Sequence, residues 1–133
     1  MGIFGFGGGP KVVIVEDNEA LAEIYKVRLE ILGYKVLNAY DGEEALRIIE
    51  QEQPRLVLLD IMIPKVSGDV VLQTMRANDW GKDIKVHIIS NLNENDAPQN
   101  VRQYGIEGYS VKANLANDQI DQIVNGILSP GGM

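Results

Sequence analysis

The sequence predicts an α/β fold in which five strands alternate with five helices, a (βα)5 doubly wound parallel sheet. Three observations carry this. Short apolar runs recur along the chain, amphipathic helical patterns fall between them, and several of the runs are apolar without a break. Unbroken runs are the habit of strands buried on both faces, which belong to parallel sheets covered by helices on each side. The alternation itself is the βα pattern.

Val12 to Val15 and Leu56 to Leu59 are continuous runs and predict the first and third strands. Val86 to Ile89, interrupted only by His87, predicts the fourth. Tyr34 to Ala39 and Gly108 to Val111 are weaker signals for the second and fifth. In the first helix Ala20, Ile24, Val27 and Ile31 recur at helical spacing, and Gly33 offers a stop. Asp41 with Glu44 three residues on predicts a capping box opening a second helix through Ala45, Ile48 and Ile49. Gly68 to Ala77 predicts a short third helix, and Asp96 to Tyr104 a fourth, with Pro98 near its start and Gly105 at its end. Ile120, Ile123, Val124, Ile127 and Leu128 give the clearest stripe, the fifth helix. Residues 1–10, holding five of the fourteen glycines and both phenylalanines, predict a flexible arm ahead of a domain over 11–128, and 129–133 a short flexible tail. The arm does not fit a myristoylation site, because Phe6 stands where Ser or Thr is needed.

A chain of 133 residues with 45% hydrophobic and 23% charged residues can bury a core as one domain. That excludes a disordered, collagen-like or low-complexity chain. No apolar run reaches the ~18–20 residues of a membrane helix, and no signal peptide is visible. Zero cysteines exclude disulfides, thiolate zinc sites and thiol catalysis. A cytoplasmic location is the simplest expectation. Nineteen acids against twelve Lys and Arg give a net charge of -7, which repels nucleic acid, so the expectation is no direct DNA binding and no membrane partner.

The chemistry sits where the strands end. Val15 runs into Glu16 and Asp17, Leu59 into Asp60, Ile89 into Ser90 and Val111 into Lys112. In an open parallel sheet, ligands bind beyond the carboxyl ends of the strands. If the first and third strands are neighbours, Asp17 and Asp60 lie within reach of one cation. Clustered carboxylates raise one another's pKa unless a positive partner is present. A hard divalent cation answers that need: Mg2+, with Mn2+ as a substitute, favours six oxygen ligands at about 2.0–2.1 Å. Asp17 and Asp60 can bind directly, Glu16 through water, and the Met62 backbone carbonyl can complete the set. Lys112 adds a movable positive charge. Singly, each acid reads as a helix cap or turn former, Ser90 as a loop residue and Lys112 as a solvated charge. Their coincidence at four strand ends sets them apart. His87, the only histidine, reads as a core residue.

With these residues assembled, the chain resembles the receiver domains of two-component response regulators, the CheY-like superfamily, over roughly Lys11 to Leu128. The stretches that carry the likeness are VVIVEDNEAL, LVLLDIMIPKVSG, VHIIS and GYSVK. The resemblance implies a flavodoxin-like sheet of order 2-1-3-4-5. It implies that Asp60 accepts a phosphoryl group from a histidine kinase or phosphotransfer protein. Lys112 pairs with the phosphate, and Ser90 and Tyr109 act as the switch. The helix 4–strand 5–helix 5 face is where a protein target reads the state. Such a protein is no enzyme of the ordinary kind; it catalyses its own phosphorylation and dephosphorylation. The side chains two positions after Asp60 and after Ser90, Met62 and Leu92, with Asn91 beside them, set the phosphate's lifetime. Ala113 stands where the family commonly has proline, which predicts a trans Lys112–Ala113 bond, because cis costs ~3–4 kcal/mol without proline. Few residues follow the last helix, so a stand-alone, single-domain regulator is expected. The alternative is a pseudo-receiver that binds partners without phosphorylation. A dehalogenase-type phosphotransferase needs an acid at Met62, and a flavin carrier needs a phosphate loop where EDNEA would repel one.

Overall fold

The computed structural model describes residues 8–128; residues 1–7 and 129–133, read above as parts of an arm and a tail, lie outside the described residues. Five parallel strands, β1 (Lys11–Val15), β2 (Lys35–Ala39), β3 (Leu56–Leu59), β4 (Lys85–Ser90) and β5 (Gly108–Val111), form one sheet in the order β2-β1-β3-β4-β5. The helices between them are α1 (Glu19–Ile31), α2 (Gly42–Glu52), α3 (Gly68–Arg76), α4 (Asn100–Gln103) and α5 (Asn117–Leu128). Alternate residues of each strand feed opposite cores. Val13, Val15, Val57 and Leu59 face Ala45, Ile49, Val71 and Leu72 on one side. Val12, Ile14, Leu56 and Leu58 face Tyr25, Leu29, Ile120 and Val124 on the other. The predicted fold class therefore stands, strand for strand.

Gly9 and Pro10, which the sequence places in the arm, contact the described fold. The backbone at Gly9 lies so close to the Gly33 carbonyl that an added Cβ would be 2.1 Å from its oxygen. Pro10 accepts from the Lys35 amide at 3.0 Å, so both residues belong to the fold.

Helix α1 forms where the sequence places it but turns the other way. Ala22, Tyr25 and Leu29 are buried, whereas Ile24, Val27 and Ile31 are exposed, Ile31 to 70%. The helix carries two apolar stripes at helical spacing, so periodicity alone does not choose between them. The stripe that is buried packs Tyr25 and Leu29 with Ile120 and Val124, and at its flank Arg28 bonds Asp121 of α5 through Nε at 3.2 Å and Nη2 at 2.8 Å. Arg28 lies on the flank beside Leu29 and Tyr25, and this pair locks α1 against α5 with that side inward.

The capping box of α2 is present with a shift of one residue. The Glu44 amide donates to Asp41 Oδ1 at 2.7 Å, while Glu44 Oε1 accepts from the Tyr40 amide rather than from Asp41 itself. The fourth helix is the larger departure. Glu94–Asp96 is a single 3-10 turn and only Asn100–Gln103 is helical. Ala97, the residue before Pro98, takes ψ 154, because the proline ring pushes its neighbour out of the helical region.

Arg76, at the end of α3, fastens the far edge of this region. Its guanidinium donates to the carbonyls of Tyr104 (2.6 Å), Gly105 (2.9 Å), Gly81 (2.9 Å) and Ile84 (2.9 Å).

His87 is a core residue, as expected. Its Nε2 lies 2.9 Å from Ser110 Oγ, and Gly108 is so close that a Cβ there would stand 2.8 Å from the ring. Burial pushes its pKa down to about 4. The unfolded chain, near 6.5, takes up the proton first, so acidification from 6.5 toward 4 favours unfolding. Between pH 7 and pH 5 this costs about 2 kcal/mol of stability, at roughly 1.4 kcal/mol per pH unit. Urea titrations of the wild type beside His87→Gln measure it; parallel pH profiles for the two proteins would sink the assignment.

Candidate functional site

Parallel strands end together, so the residues that follow β1, β3, β4 and β5 share one edge. Glu16 and Asp17 leave β1, Asp60 leaves β3, Ser90 closes β4 and Lys112 follows β5. One carboxylate oxygen each from Glu16, Asp17 and Asp60 lie within 4.8 Å of one another. Glu16 and Asp60 are buried and Asp17 is exposed. Lys112 Nζ stands 2.6 Å from Glu16 Oε1 and 2.6 Å from Asp60 Oδ2, a partly buried ammonium between two buried carboxylates.

The remaining carboxylate oxygens are also engaged. Glu16 Oε2 accepts from the Asn18 amide at 2.9 Å and Asp60 Oδ1 from the Met62 amide at 3.2 Å. Burial, the dominant influence, pushes the Glu16 carboxyl up despite the Lys112 hydrogen bond. At Lys112 burial pulls down, but the hydrogen bonds to Asp60 and Glu16 together outweigh it and the ammonium is held above its ordinary value. A positive charge is thereby fixed beside Asp60.

The turn after β3 is pressed against the site. Gly68, the first residue of α3, lies where a Cβ would be 2.1 Å from the Asp60 carbonyl oxygen, and its amide donates to the Ile61 carbonyl at 2.7 Å. Gly42 approaches the Val66 carbonyl more closely still, a Cβ there standing 1.8 Å from its oxygen. Lys65, at φ 70, supplies the left-handed residue of the turn. Sequence reasoning noted Gly68 but not why glycine is needed there. It missed Tyr25, which lines a small buried space with Glu16 and Asp60 beneath the carboxylates.

Ser90 is fully buried, and its Oγ accepts from the Leu92 amide at 3.3 Å. Tyr109 donates its hydroxyl to the Leu92 carbonyl at 2.7 Å, and burial raises its phenol. Ser90 and Tyr109 therefore both hold the same short loop. Leu92 packs on the core, whereas Met62 projects into solvent with 62% exposure. Asn91 is exposed beside them. Among the described residues no peptide bond is cis, so Lys112–Ala113 is trans as expected, inside a 3-10 turn over Lys112–Asn114.

The donor set tests well for a hard divalent cation. All three side chains offer oxygen, no histidine or cysteine joins them, and the single Lys112 ammonium offsets only part of the charge of the three carboxylates. Among the described residues, no helix is long and apolar enough to cross a membrane.

Residues 12–125 match the response regulator receiver domain family. The chain is 40% identical over 104 residues to a probable transcriptional regulator, ycf27, of Guillardia theta, covering 77% of this chain and 39% of that one. It is 35% identical over 85 residues to the DNA-binding dual master transcriptional regulator RpaA of Synechocystis sp., covering 64% and 35%. The response regulator TrrA of Thermotoga maritima, solved in complex with Mg2+-BeF, superposes with a TM-score of 0.77 at 27% identity, covering 90% and 99%. The chain spans about two fifths of the length of curated relatives it matches.

These relatives correct the expectation that DNA is excluded. They are named transcriptional regulators, one of them DNA-binding. The net charge of -7 belongs to this chain of 133 residues and carries no information about the parts of those relatives that it does not cover. An acidic receiver is compatible with a DNA-binding protein.

Proposed function

We propose, since the chain belongs to the response regulator receiver domain family, that Asp60 accepts a phosphoryl group from a histidine kinase or phosphotransfer protein. The observation that carries this is the Lys112 ammonium 2.6 Å from a buried Asp60 at the sheet edge. A carboxylate oxygen of Asp60 attacks phosphorus, the bond from phosphorus to the donor's imidazole nitrogen breaks, and that nitrogen keeps the electron pair. The product is an acyl phosphate.

Glu16, Asp17, Asp60 and the Met62 backbone carbonyl would hold Mg2+, or Mn2+ in its place. When bound, the cation supplies positive charge against the phosphoryl oxygens. Lys112 exchanges its contact with the Asp60 carboxylate for one with the phosphoryl group. Ser90 turns its hydroxyl toward a phosphoryl oxygen and releases the Leu92 amide; Tyr109, bonded to the same residue, reports the change to the surface of α4, β5 and α5. A protein target reads that surface. This reading sets the protein in the cytoplasm, which suits a chain without cysteine.

Acetyl phosphate with Mg2+, followed by intact-mass spectrometry, tests the reading. A phosphoryl adduct is expected on the wild type and none on Asp60→Asn. An adduct that persists in the variant would place the acceptor elsewhere, and none in either protein would favour the pseudo-receiver.

Hydrolysis of the acyl phosphate needs a water in line with phosphorus. Neither Met62 nor Leu92 can orient one by hydrogen bonding. Phosphorylated wild type is expected to decay on the order of tenfold more slowly than Met62→Asn/Leu92→Glu, since positioning is worth orders of magnitude. Decay followed in Mg2+ buffer decides it; equal rates would show that Asn91 or another group holds the water.

A further inference from the structure

We infer that Tyr25 is a positioning residue of the site: its hydroxyl donates to a single buried water, and that water donates to the Glu16 and Asp60 carboxylates from the sheet side. The inference rests on the proposed reading of those carboxylates as holders of Mg2+. Tyr25, on α1, is 4% exposed, yet among the described residues its hydroxyl bonds no protein group. Its neighbours Leu29, Ile120 and Val124 ask only for an apolar ring. A hydroxyl buried without a partner is costly, so packing alone does not account for tyrosine at this position.

The surroundings supply the partner. Tyr25 lines a small space together with Glu16, Asp60, Ile14, Leu58 and Ile89. Asp17 and Met62, which complete the proposed cation site, do not line it, so the space lies beneath the carboxylates rather than beside the cation's remaining ligands. Its volume, about 10 Å3, is the size one water needs.

The hydrogen-bond count closes on a water. Each of the four carboxylate oxygens already accepts one bond, those of Glu16 from Lys112 and the Asn18 amide, those of Asp60 from Lys112 and the Met62 amide. Each keeps a second lone pair. A water that accepts from the phenol and donates to one oxygen of each carboxylate makes three bonds, the usual number for a buried water. Burial, and after it the Glu16 charge, push the Tyr25 phenol up, so it remains a donor. On the proposed reading Lys112 leaves the Asp60 carboxylate when a phosphoryl group arrives. The water does not leave, so both acids keep a donor anchored to α1.

Two measurements on the full chain test this. A crystal structure of the wild type should show an ordered water about 2.5–3.0 Å from Tyr25 Oη and from one oxygen each of Glu16 and Asp60. An empty space would overturn the inference, and so would a peak at metal distances of about 2.0–2.1 Å. Calorimetric titration with MgCl2 is the second. Tyr25→Phe keeps the ring and should bind Mg2+ about three- to tenfold more weakly than the wild type, the worth of one hydrogen bond. Tyr34→Phe is the control: Tyr34 is also buried, but its hydroxyl donates to Asn125 at 2.6 Å, and its loss should leave Mg2+ affinity unchanged. Equal affinity in the wild type and Tyr25→Phe, or an equal loss in both variants, would make Tyr25 a packing residue only. A wild type that holds the water but binds no Mg2+ would support the bridge and overturn the cation reading instead.

Discussion

Lys112→Ala is expected to lower the stability of the protein in the absence of divalent cations by about 3–5 kcal/mol, the usual cost of leaving a buried charge without its partner. Lys112 is the one ammonium within salt-bridge distance of Glu16 and Asp60 among the described residues, at 2.6 Å from each. Its removal leaves two buried carboxylates facing one another. Mg2+ should then bind more tightly than to the wild type, since no ammonium competes for the same oxygens, and should restore stability in proportion to its occupancy. The deficit should also shrink on acidification. Burial already raises the Glu16 carboxyl, and without Lys112 it rises further. A folded pKa above the unfolded value means that the folded state takes the proton first and gains stability as pH falls. Urea denaturation with and without Mg2+, at pH 7.5 and about 5.5, measures all three effects. Unchanged Mg2+ affinity would show that Lys112 and the cation do not share a site.

Gly68→Ala is expected to be the small substitution that most directly disturbs Asp60. Its methyl would meet the backbone of Asp60 and Ile61 at 2.1 to 2.9 Å, and no side chain can move aside to admit it. Overpacking of this kind costs about 1–3 kcal/mol. The greater effect falls on function, because the displaced segment carries Asp60. A shift of about 1 Å in a reacting group can cost on the order of a hundredfold in rate. The rate of acetyl phosphate labelling should fall by that order while the protein remains folded. Gly126→Ala is the control: nothing lies within 4 Å of its position in α5, and a gain of up to about 1 kcal/mol from helix propensity is expected. Equal labelling rates in the wild type and Gly68→Ala would show that the turn tolerates the shift.

Much of this site was legible in the sequence for a physical reason. A strand buried on both faces must be apolar, so the first polar residue after Val15, Leu59 and Ile89 marks the sheet edge, whereas β5, an edge strand only half-buried, gives Lys112 no such signal. What resisted reading was orientation. Helix α1 offers two apolar stripes, and the one that is buried meets α5, where Tyr25 and Leu29 pack with Ile120 and Val124 and Arg28 reaches Asp121, ninety-three residues away in the chain. Helix α4 failed at Pro98, whose effect on Ala97 outweighed the apolar and capping signals around it. The approach of Gly68 to the Asp60 carbonyl involves backbone alone and leaves no trace in the sequence except the glycine.

The four carbonyl bonds of Arg76 have a mechanical consequence. They clamp the chain at Tyr104 and Gly105 to the end of α3, while the stretch from Asn91 to Gln99 carries one short 3-10 turn. A lever fixed at one end swings at the other. On the proposed reading, a shift at Ser90 would be absorbed between Asn91 and Gln103, ahead of the Arg76 anchor. Lysine could not take this place: a single ammonium has three donors on one atom and cannot span carbonyls from three separate segments.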